Sequence, residues 1–386
     1  MLRRTDKNPI SEWWWTVDRL LFALVLTLIF IGIVLSLAAS PPVAERLGLS
    51  SFHFVIRHLI FVVPALCVLV VTSVLKPEHL RRLALLAFIG ALILTALTLF
   101  IGLEAKGATR WLHVGPFSIQ PSEILKPSLI VIAAWLFAEG GRRPDMPGHL
   151  LACLILLPAV GLLVLQPDFG QTMLIVATWG ALFFMAGMSW LWIAVFGILG
   201  AGGLVLAYQM LPHVTQRIDR FLDPSSGDTF QTDRAIDSFR NGGWFGTGPG
   251  EGTVKHILPD SHTDFIFAVA GEEYGALFGL LIVAMFALLV IRGLARAYRE
   301  EDAFVRYATA GLSILIGLQA TINLCVNLSL LPAKGMTLPF ISYGGSSLIS
   351  AAFTMGMILS LTRRRPQTVA LKSTPRELIL AEDAPA

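Results

Sequence analysis

The 386 residues are 55% hydrophobic and 14% charged, where a soluble globular domain carries roughly a quarter charged residues, so water is not the main solvent of this chain. A formal charge of +3 marks no nucleic-acid partner and has to be read by position, because basic residues of membrane proteins collect on the cytoplasmic side. Cys67, Cys153 and Cys325 all sit in apolar runs, where thiols act as small hydrophobes and are poorly placed for a disulfide framework.

In chain order, Arg3, Arg4 and Lys7 precede an apolar run that continues for about 20 residues, beyond the 7–15 of a signal-peptide core. A retained first span is expected, with 1–19 as a cytoplasmic N-terminal segment. A membrane helix needs about 20 mostly apolar residues, and such runs predict spans at 20–39, 55–75, 83–103, 124–139, 149–166, 171–188, 190–210, 265–291, 305–329 and 345–361. The expected fold class is all-α: a polytopic integral membrane protein of about ten transmembrane helices, forming one domain over 20–365. Pro64 and Pro158 inside these runs are compatible with membrane helices, whose neighbours satisfy the freed backbone groups. Trp13, Trp14 and Trp15 stand where an interfacial anchor belongs, and the tail 366–386 reads as cytoplasmic and disordered.

The basic residues set the orientation. Arg19 precedes span one; Lys76, Arg81 and Arg82 follow span two; Arg142 and Arg143 follow span four; Arg292, Arg296, Arg299 and Arg306 follow span eight; Arg363, Arg364 and Arg365 follow span ten. With ten spans all these segments fall on one side, the cytoplasmic one, and both termini with them. The opposite face receives 40–54, 104–123, 167–170, 211–264 and 330–344. Of these, 211–264 is far longer than the usual connection of about 4–6 residues, and its charges and aromatics favour partial order on the membrane surface.

Charged residues of the outer segments stand at or just inside helix ends, where a reaction on a membrane-bound substrate would be run. Glu123 and Lys126, in Gln120-Pro121-Ser122-Glu123-Ile124-Leu125-Lys126, share a helix face. They read either as a functional pair or as an ion pair with Lys126 snorkelling to the headgroups. Asp168 reads as the cap of span six. The glycine-rich run 246–252, followed by Lys255, lacks the strand and helix of a phosphate-binding loop and reads as flexible. Ser261-His262-Thr263-Asp264 leads into span eight, so Thr263 or Asp264 is either a helix cap or, for Asp264, a general base open to the outer leaflet. Glu272 and Glu273 lie two turns further in and require a partner, a proton or a water-filled cavity. Gln319, Asn323 and Asn327, spaced by four, form an amide stripe best explained by interhelical hydrogen bonds. The Pro- and Gly-rich stretch from Pro332 to Ser347 breaks any helix; in it Lys334 either reaches a phosphate or snorkels.

Three of these pieces, His262-Thr263-Asp264-Phe265, Gln120-Pro121-Ser122-Glu123 with Lys126, and Lys334 through Ser342-Tyr343-Gly344-Gly345-Ser346-Ser347, resemble the SEDS family (shape, elongation, division and sporulation) in order and on one face. The Lys334-Gly335-Met336-Thr337-Leu338-Pro339 wording looks like the division-type members. The resemblance implies a peptidoglycan glycosyltransferase of the bacterial inner membrane. Such an enzyme joins lipid II units at the outer face and works at the septum with a class B penicillin-binding transpeptidase and other division proteins. It implies Asp264 as the essential general base, with His262 supporting it, and Arg110, Lys126 and Lys334 as cations for the departing pyrophosphate. Glu123 would orient Lys126, and Ser342 and Tyr343 would belong to the substrate-binding loop. No cofactor is required; there is room for a divalent cation bridging Asp264 or Glu123 to the pyrophosphate, without a ligand cluster that demands one. The same residues fit a lipid II flippase or a non-catalytic scaffold recruiting the transpeptidase. The crowding of polar groups at the outer ends of the spans favours the polymerase.

Overall fold

The computed structural model describes residues 9–105, 108–115, 117–210, 212–223, 230–332 and 335–363; Lys334 and the tail 366–386 lie outside them. Each apolar run becomes a helix. In chain order they are α1 (Pro9–Thr16), α2 (Arg19–Arg46), α3 (His53–Val74), α4 (Pro77–Ile101), α5 (Pro121–Arg142), α6 (Gly148–Leu165), α7 (Phe169–Met185), α8 (Trp190–Met210), α9 (Pro212–Leu222), α10 (Phe230–Gly242), α11 (Ile266–Tyr298), α12 (Ala303–Asn327) and α13 (Gly345–Leu361). Among the described residues, eight helices are long and apolar enough to cross a membrane: α2 to α6, α8, α11 and α12. The remaining two predicted spans, α7 and α13, are apolar helices of 17 residues each, at the short end of what a bilayer needs.

Local chemistry explains the helix starts. Asp18, Asp168 and Asp302 each accept a first-turn backbone N–H, from Leu21, Gln171 and Val305, while Pro77 and Pro121 open α4 and α5, where the missing N–H costs nothing. Helix α5 is buried along most of its length and packs against α4, α6, α7, α12 and α13, which makes it the central post of the bundle. The core continues through α12 and α13, while α8 is mostly exposed, packing on α9 and touching the core through Phe196 against Trp179 and Phe183.

Two outer connections are built rather than irregular. The segment between α4 and α5, expected to be a loop, is a three-stranded antiparallel sheet of β1 (Leu103–Ala105), β2 (Ala108–Val114) and β3 (Phe117–Ile119), with Leu103 opposite Trp111 and Leu112 opposite Ile119. The 211–264 segment holds α9, α10 and a short 3₁₀ turn at Val254–His256; α10 and the turn fold back onto α11. That return needs glycine. Gly275 takes a positive φ of 83° inside α11, and a β-carbon there would stand 2.4 Å from the Trp244 carbonyl oxygen.

The polar ties between connections fall into two separate sets. At one end, Asp18 pairs with Arg292 (3.1 Å) and Arg296 (2.7 Å), Arg142 pairs with Asp302 (2.6 Å), and Arg363 donates to the Val74 carbonyl and to Thr16 (2.9 Å each). At the other, Arg46 donates to the Leu258 carbonyl (3.0 Å), Ser346 to that of Ser118 (3.4 Å), and Ser342 to that of Thr263 (2.6 Å). The basic connections therefore gather at the end of the bundle opposite Asp264.

Candidate active site at the start of the eleventh helix

The chain approaches α11 through an irregular turn. The Asp260 residue, at a positive φ of 53°, offers its carbonyl to the backbone N–H groups of Thr263 (3.1 Å), Asp264 (3.1 Å) and Phe265 (3.3 Å). The helix cap is Phe265, without a side-chain hydrogen bond, so neither Thr263 nor Asp264 serves as the cap that their position suggested. The Asn327 side chain takes that part from another helix: its Oδ1 accepts the Ala268 N–H (3.1 Å).

Asp264 is held by its backbone. Its carbonyl accepts from Asn323 Nδ2 and from Asn327 Nδ2, both at 2.9 Å, and Asn323 Nδ2 also donates to the Met336 carbonyl (2.6 Å). The amide stripe of α12 thus makes the interhelical hydrogen bonds expected of it, and they fasten the aspartate and the 335–344 loop to one post. The side chain is half-buried, and Gly335 lies beside it: a β-carbon at Gly335 would stand 3.6 Å from Asp264 Oδ2. On the flanking residues, Tyr343 N–H donates to the His262 carbonyl (3.0 Å), and Ser342 Oγ donates to that of Thr263 while accepting the Leu338 N–H (2.8 Å). Ser342 and Tyr343, seen in the sequence as loop residues, are the clamp that closes this loop on the aspartate turn.

His262 is buried in an aromatic cluster, its ring centroid 4.7 Å from Phe54 and 5.3 Å from Tyr343. Burial pushes the Tyr343 phenol above its ordinary value, opposed by the charge and hydrogen bond of Arg57. Arg57 is a cation that sequence reasoning passed over, because in the first turns of α3 it looks like an ordinary boundary residue. Only the approach of α13 to α3 brings it to Tyr343.

Lys126 and Glu123 form a second, adjoining cluster. Lys126 Nζ lies 3.0 Å from Glu123 Oε2, and donates to Gln171 Oε1 (2.7 Å) and Gln319 Oε1 (3.3 Å); Gln171 Nε2 completes the ring on Glu123 Oε1 (2.9 Å). With Lys126 only 1% exposed, the ion pair is present and snorkelling is not. Gln319 Nε2 links this ring to the loop over Asp264 through the Thr337 carbonyl (3.3 Å). Arg110, on β2, is turned towards the α6–α7 connection, donating to the carbonyls of Gln166 (3.1 Å) and Pro167, 3.6 Å from Asp168. Burial raises the Asp168 carboxyl above its ordinary value; Arg110 and the Gln171 N–H offset part of this. Of the named cations, Arg110 and Lys126 are already engaged by protein groups and Lys334 lies outside the described residues.

The glycine-rich run is not a flexible loop. It wraps the two carboxylates of α11: Glu272 accepts the N–H groups of Thr253, Val254 (2.8 Å each) and Lys255 (3.2 Å), and Glu273 accepts the Gly250 N–H (3.0 Å) and pairs with Lys255 Nζ. The requirement that Glu272 and Glu273 find partners was legible in the sequence, but which groups supply them was not, because nothing periodic connects the two segments. Among the described residues, no three His, Cys, Asp or Glu side chains gather to hold a metal ion.

With this geometry in view, comparison with known proteins decides the lineage: the family model described as cell cycle protein, FtsW/RodA/SpoVE, matches residues 18–367. The chain belongs to the FtsW/RodA/SpoVE family. It is 46% identical to a probable peptidoglycan glycosyltransferase FtsW of Caulobacter vibrioides, covering 94% of this chain and 93% of that one. It is 35% identical to the Pseudomonas fluorescens protein of the same description, over 87% and 85% of the two chains. The crystal structure of the rod shape determining protein RodA of Thermus thermophilus superposes with a TM-score of 0.68 at 28% identity, over 92% of this chain and 99% of that one. A chain of the structure described as "Structural coordination of polymerization and crosslinking by a peptidoglycan synthase complex" gives a TM-score of 0.74 at 28% identity, over 90% and 97%. The fold is therefore the multi-spanning helical fold of RodA and FtsW, carried across nearly the whole chain.

Proposed function

We propose that this FtsW/RodA/SpoVE family member is a peptidoglycan glycosyltransferase that polymerises lipid II at the outer face of the inner membrane during cell division. The carrying observation is the setting of Asp264: two asparagine side chains of α12 hold its carbonyl, and helix capping is assigned elsewhere, so its carboxylate is not needed to start α11. In the reaction, the 4-hydroxyl oxygen of the acceptor sugar attacks the anomeric carbon of the donor. The bond from that carbon to the lipid pyrophosphate breaks, the pyrophosphate leaves with the electron pair, and Asp264 takes the hydroxyl proton. General base catalysis of this kind contributes about 10²–10⁴-fold. Negative charge growing on the leaving group calls for cations already in place. Among the described residues Arg57, at the Tyr343 phenol, is the candidate cation at the turn, and Lys334, which precedes Gly335 in the sequence, is a further candidate, while Lys126 and Glu123 act from behind the turn by holding Gln319.

In this reading ten spans cross the membrane over 20–365, and 1–19 and 366–386 are cytoplasmic. The outer segments, including 211–264, form the working face. The basic connections at the far end of the bundle support that orientation, and the likeness to a chain of a peptidoglycan synthase complex supports a class B penicillin-binding transpeptidase as partner at the septum. The test is Asp264→Asn assayed for glycan strands from purified lipid II, with the transpeptidase present. A loss of about 10²–10⁴-fold with unchanged elution and thermal midpoint is expected; glycan synthesis at the parent rate would remove the base assignment. Movement of labelled lipid II between leaflets of protein-containing vesicles, with no polymer formed, would replace a polymerase by a flippase.

A further inference from the structure

At the end of the bundle opposite Asp264, a cavity of about 570 Å³ opens between the start of α4 and the end of α5. Its lining is Arg81, Trp135, Glu139, Arg142, Arg143 and Met146. The charges do not cancel. Arg143 is paired with Glu139 (2.8 Å) and Arg142 with Asp302 (2.6 Å), whereas Arg81 lies over the Trp135 ring (4.9 Å) with no carboxylate in ion-pair range among the described residues. A surplus cation on the wall of one cavity defines the chemistry of what fits there: an anionic oxygen group such as a phosphate.

What adjoins the cavity indicates where that phosphate comes from. One turn along α4, Leu85 and Leu86 are exposed, and along α6 so are Leu150, Leu154 and Leu157, so apolar surface runs from the cavity rim towards the middle of the bundle. We infer that the cavity binds the phosphate headgroup of an anionic phospholipid of the inner leaflet, with its acyl chains against the exposed faces of α4 and α6. Basic pockets between membrane helices on the cytoplasmic side suit such headgroups. Only the assignment to the inner leaflet rests on the orientation given above; the chemistry of the cavity does not.

The full chain, purified in detergent, would be titrated with phosphatidylglycerol, with phosphatidylcholine of the same acyl chains, and with inorganic phosphate, with adducts read by native mass spectrometry. The parent protein should retain phosphatidylglycerol at least about tenfold better than phosphatidylcholine. Arg81→Gln should weaken that retention about fivefold, the contribution of one basic residue at an anionic membrane surface. Arg81→Lys should keep most of it. Equal retention of the two lipids, or no change in Arg81→Gln, would overturn the inference. Displacement of the lipid by millimolar inorganic phosphate would also overturn it, assigning the cavity to a soluble anion. Glycan synthesis by the same preparations separates the two readings, because a cavity that binds no lipid in a protein that polymerises leaves the enzyme assignment standing, and the reverse result leaves the lipid site standing.

Discussion

Buried among protein rather than lipid, Lys126 has a carboxylate and two glutamine oxygens within 3.3 Å, and that surrounding dictates what its replacement does. Removing one member of a buried ion pair leaves the other charge uncompensated, at a cost of about 3–5 kcal/mol. Lys126→Met is therefore expected to lower the unfolding midpoint of the detergent-solubilised protein sharply, and the further change Glu123→Gln should recover most of the loss. A double-mutant cycle on thermal unfolding measures this, and strictly additive effects would show the pair is not coupled. At the same scale, Glu123, Lys126 and Asp264 were legible as residues that demand an explanation, because charge at a helix end near apolar sequence is costly. Arg57 was not, since its significance depends on Tyr343, nearly three hundred residues away in sequence, arriving at its side. The reading of Asp264 as a possible cap failed for a similar reason: the amide that caps α11 from outside, Asn327, belongs to a different helix.

Phe239 of α10 packs on Phe267 of α11, but the segment just after α10 meets α11 backbone to backbone, and here glycine is obligatory. Gly275 has both a positive φ and neighbouring backbone atoms where a β-carbon would go, the Gly246 nitrogen and the Trp244 carbonyl oxygen each 2.4 Å away. Gly275→Ala should thus cost more than the about 1 kcal/mol usual for such strain, and detach the 244–252 wrap from α11. Limited proteolysis between Trp244 and Lys255 would report the detachment, and an unchanged cleavage rate would refute it. Hydropathy made the membrane helices legible because each is a long uninterrupted run. The sheet between α4 and α5 escaped notice because strands of three residues, such as Leu103–Ala105 and Phe117–Ile119, are too short for any alternation to register. The 246–252 wrap was misread as flexible because glycine there serves close approach, and composition alone does not distinguish that from mobility.

Across the whole molecule, the two sets of polar ties place the basic connections at one end and the Asp264 turn at the other. That arrangement makes topology directly measurable. With the native cysteines replaced by alanine, a cysteine at Ser50 should react with a membrane-impermeant thiol reagent in intact spheroplasts, and one at Asp145 only after lysis. The reverse pattern would turn the enzyme's working face to the cytoplasm and remove its access to an extracytoplasmic product. Both positions are exposed and outside the helices, so neither replacement should disturb folding.

Chain order adds a consequence to the wrap around Glu272 and Glu273. The amides and the lysine that neutralise these carboxylates, residues 250–255, are synthesised before the glutamates themselves. A charged side chain inside a membrane helix opposes insertion, by about 2.5–3.5 kcal/mol at the helix centre and less towards its ends, and two in succession near its start would burden the eleventh helix as it leaves the ribosome. Its counter-groups have by then already been translated, so the helix enters the bilayer as a segment whose solvation shell has been delivered ahead of it.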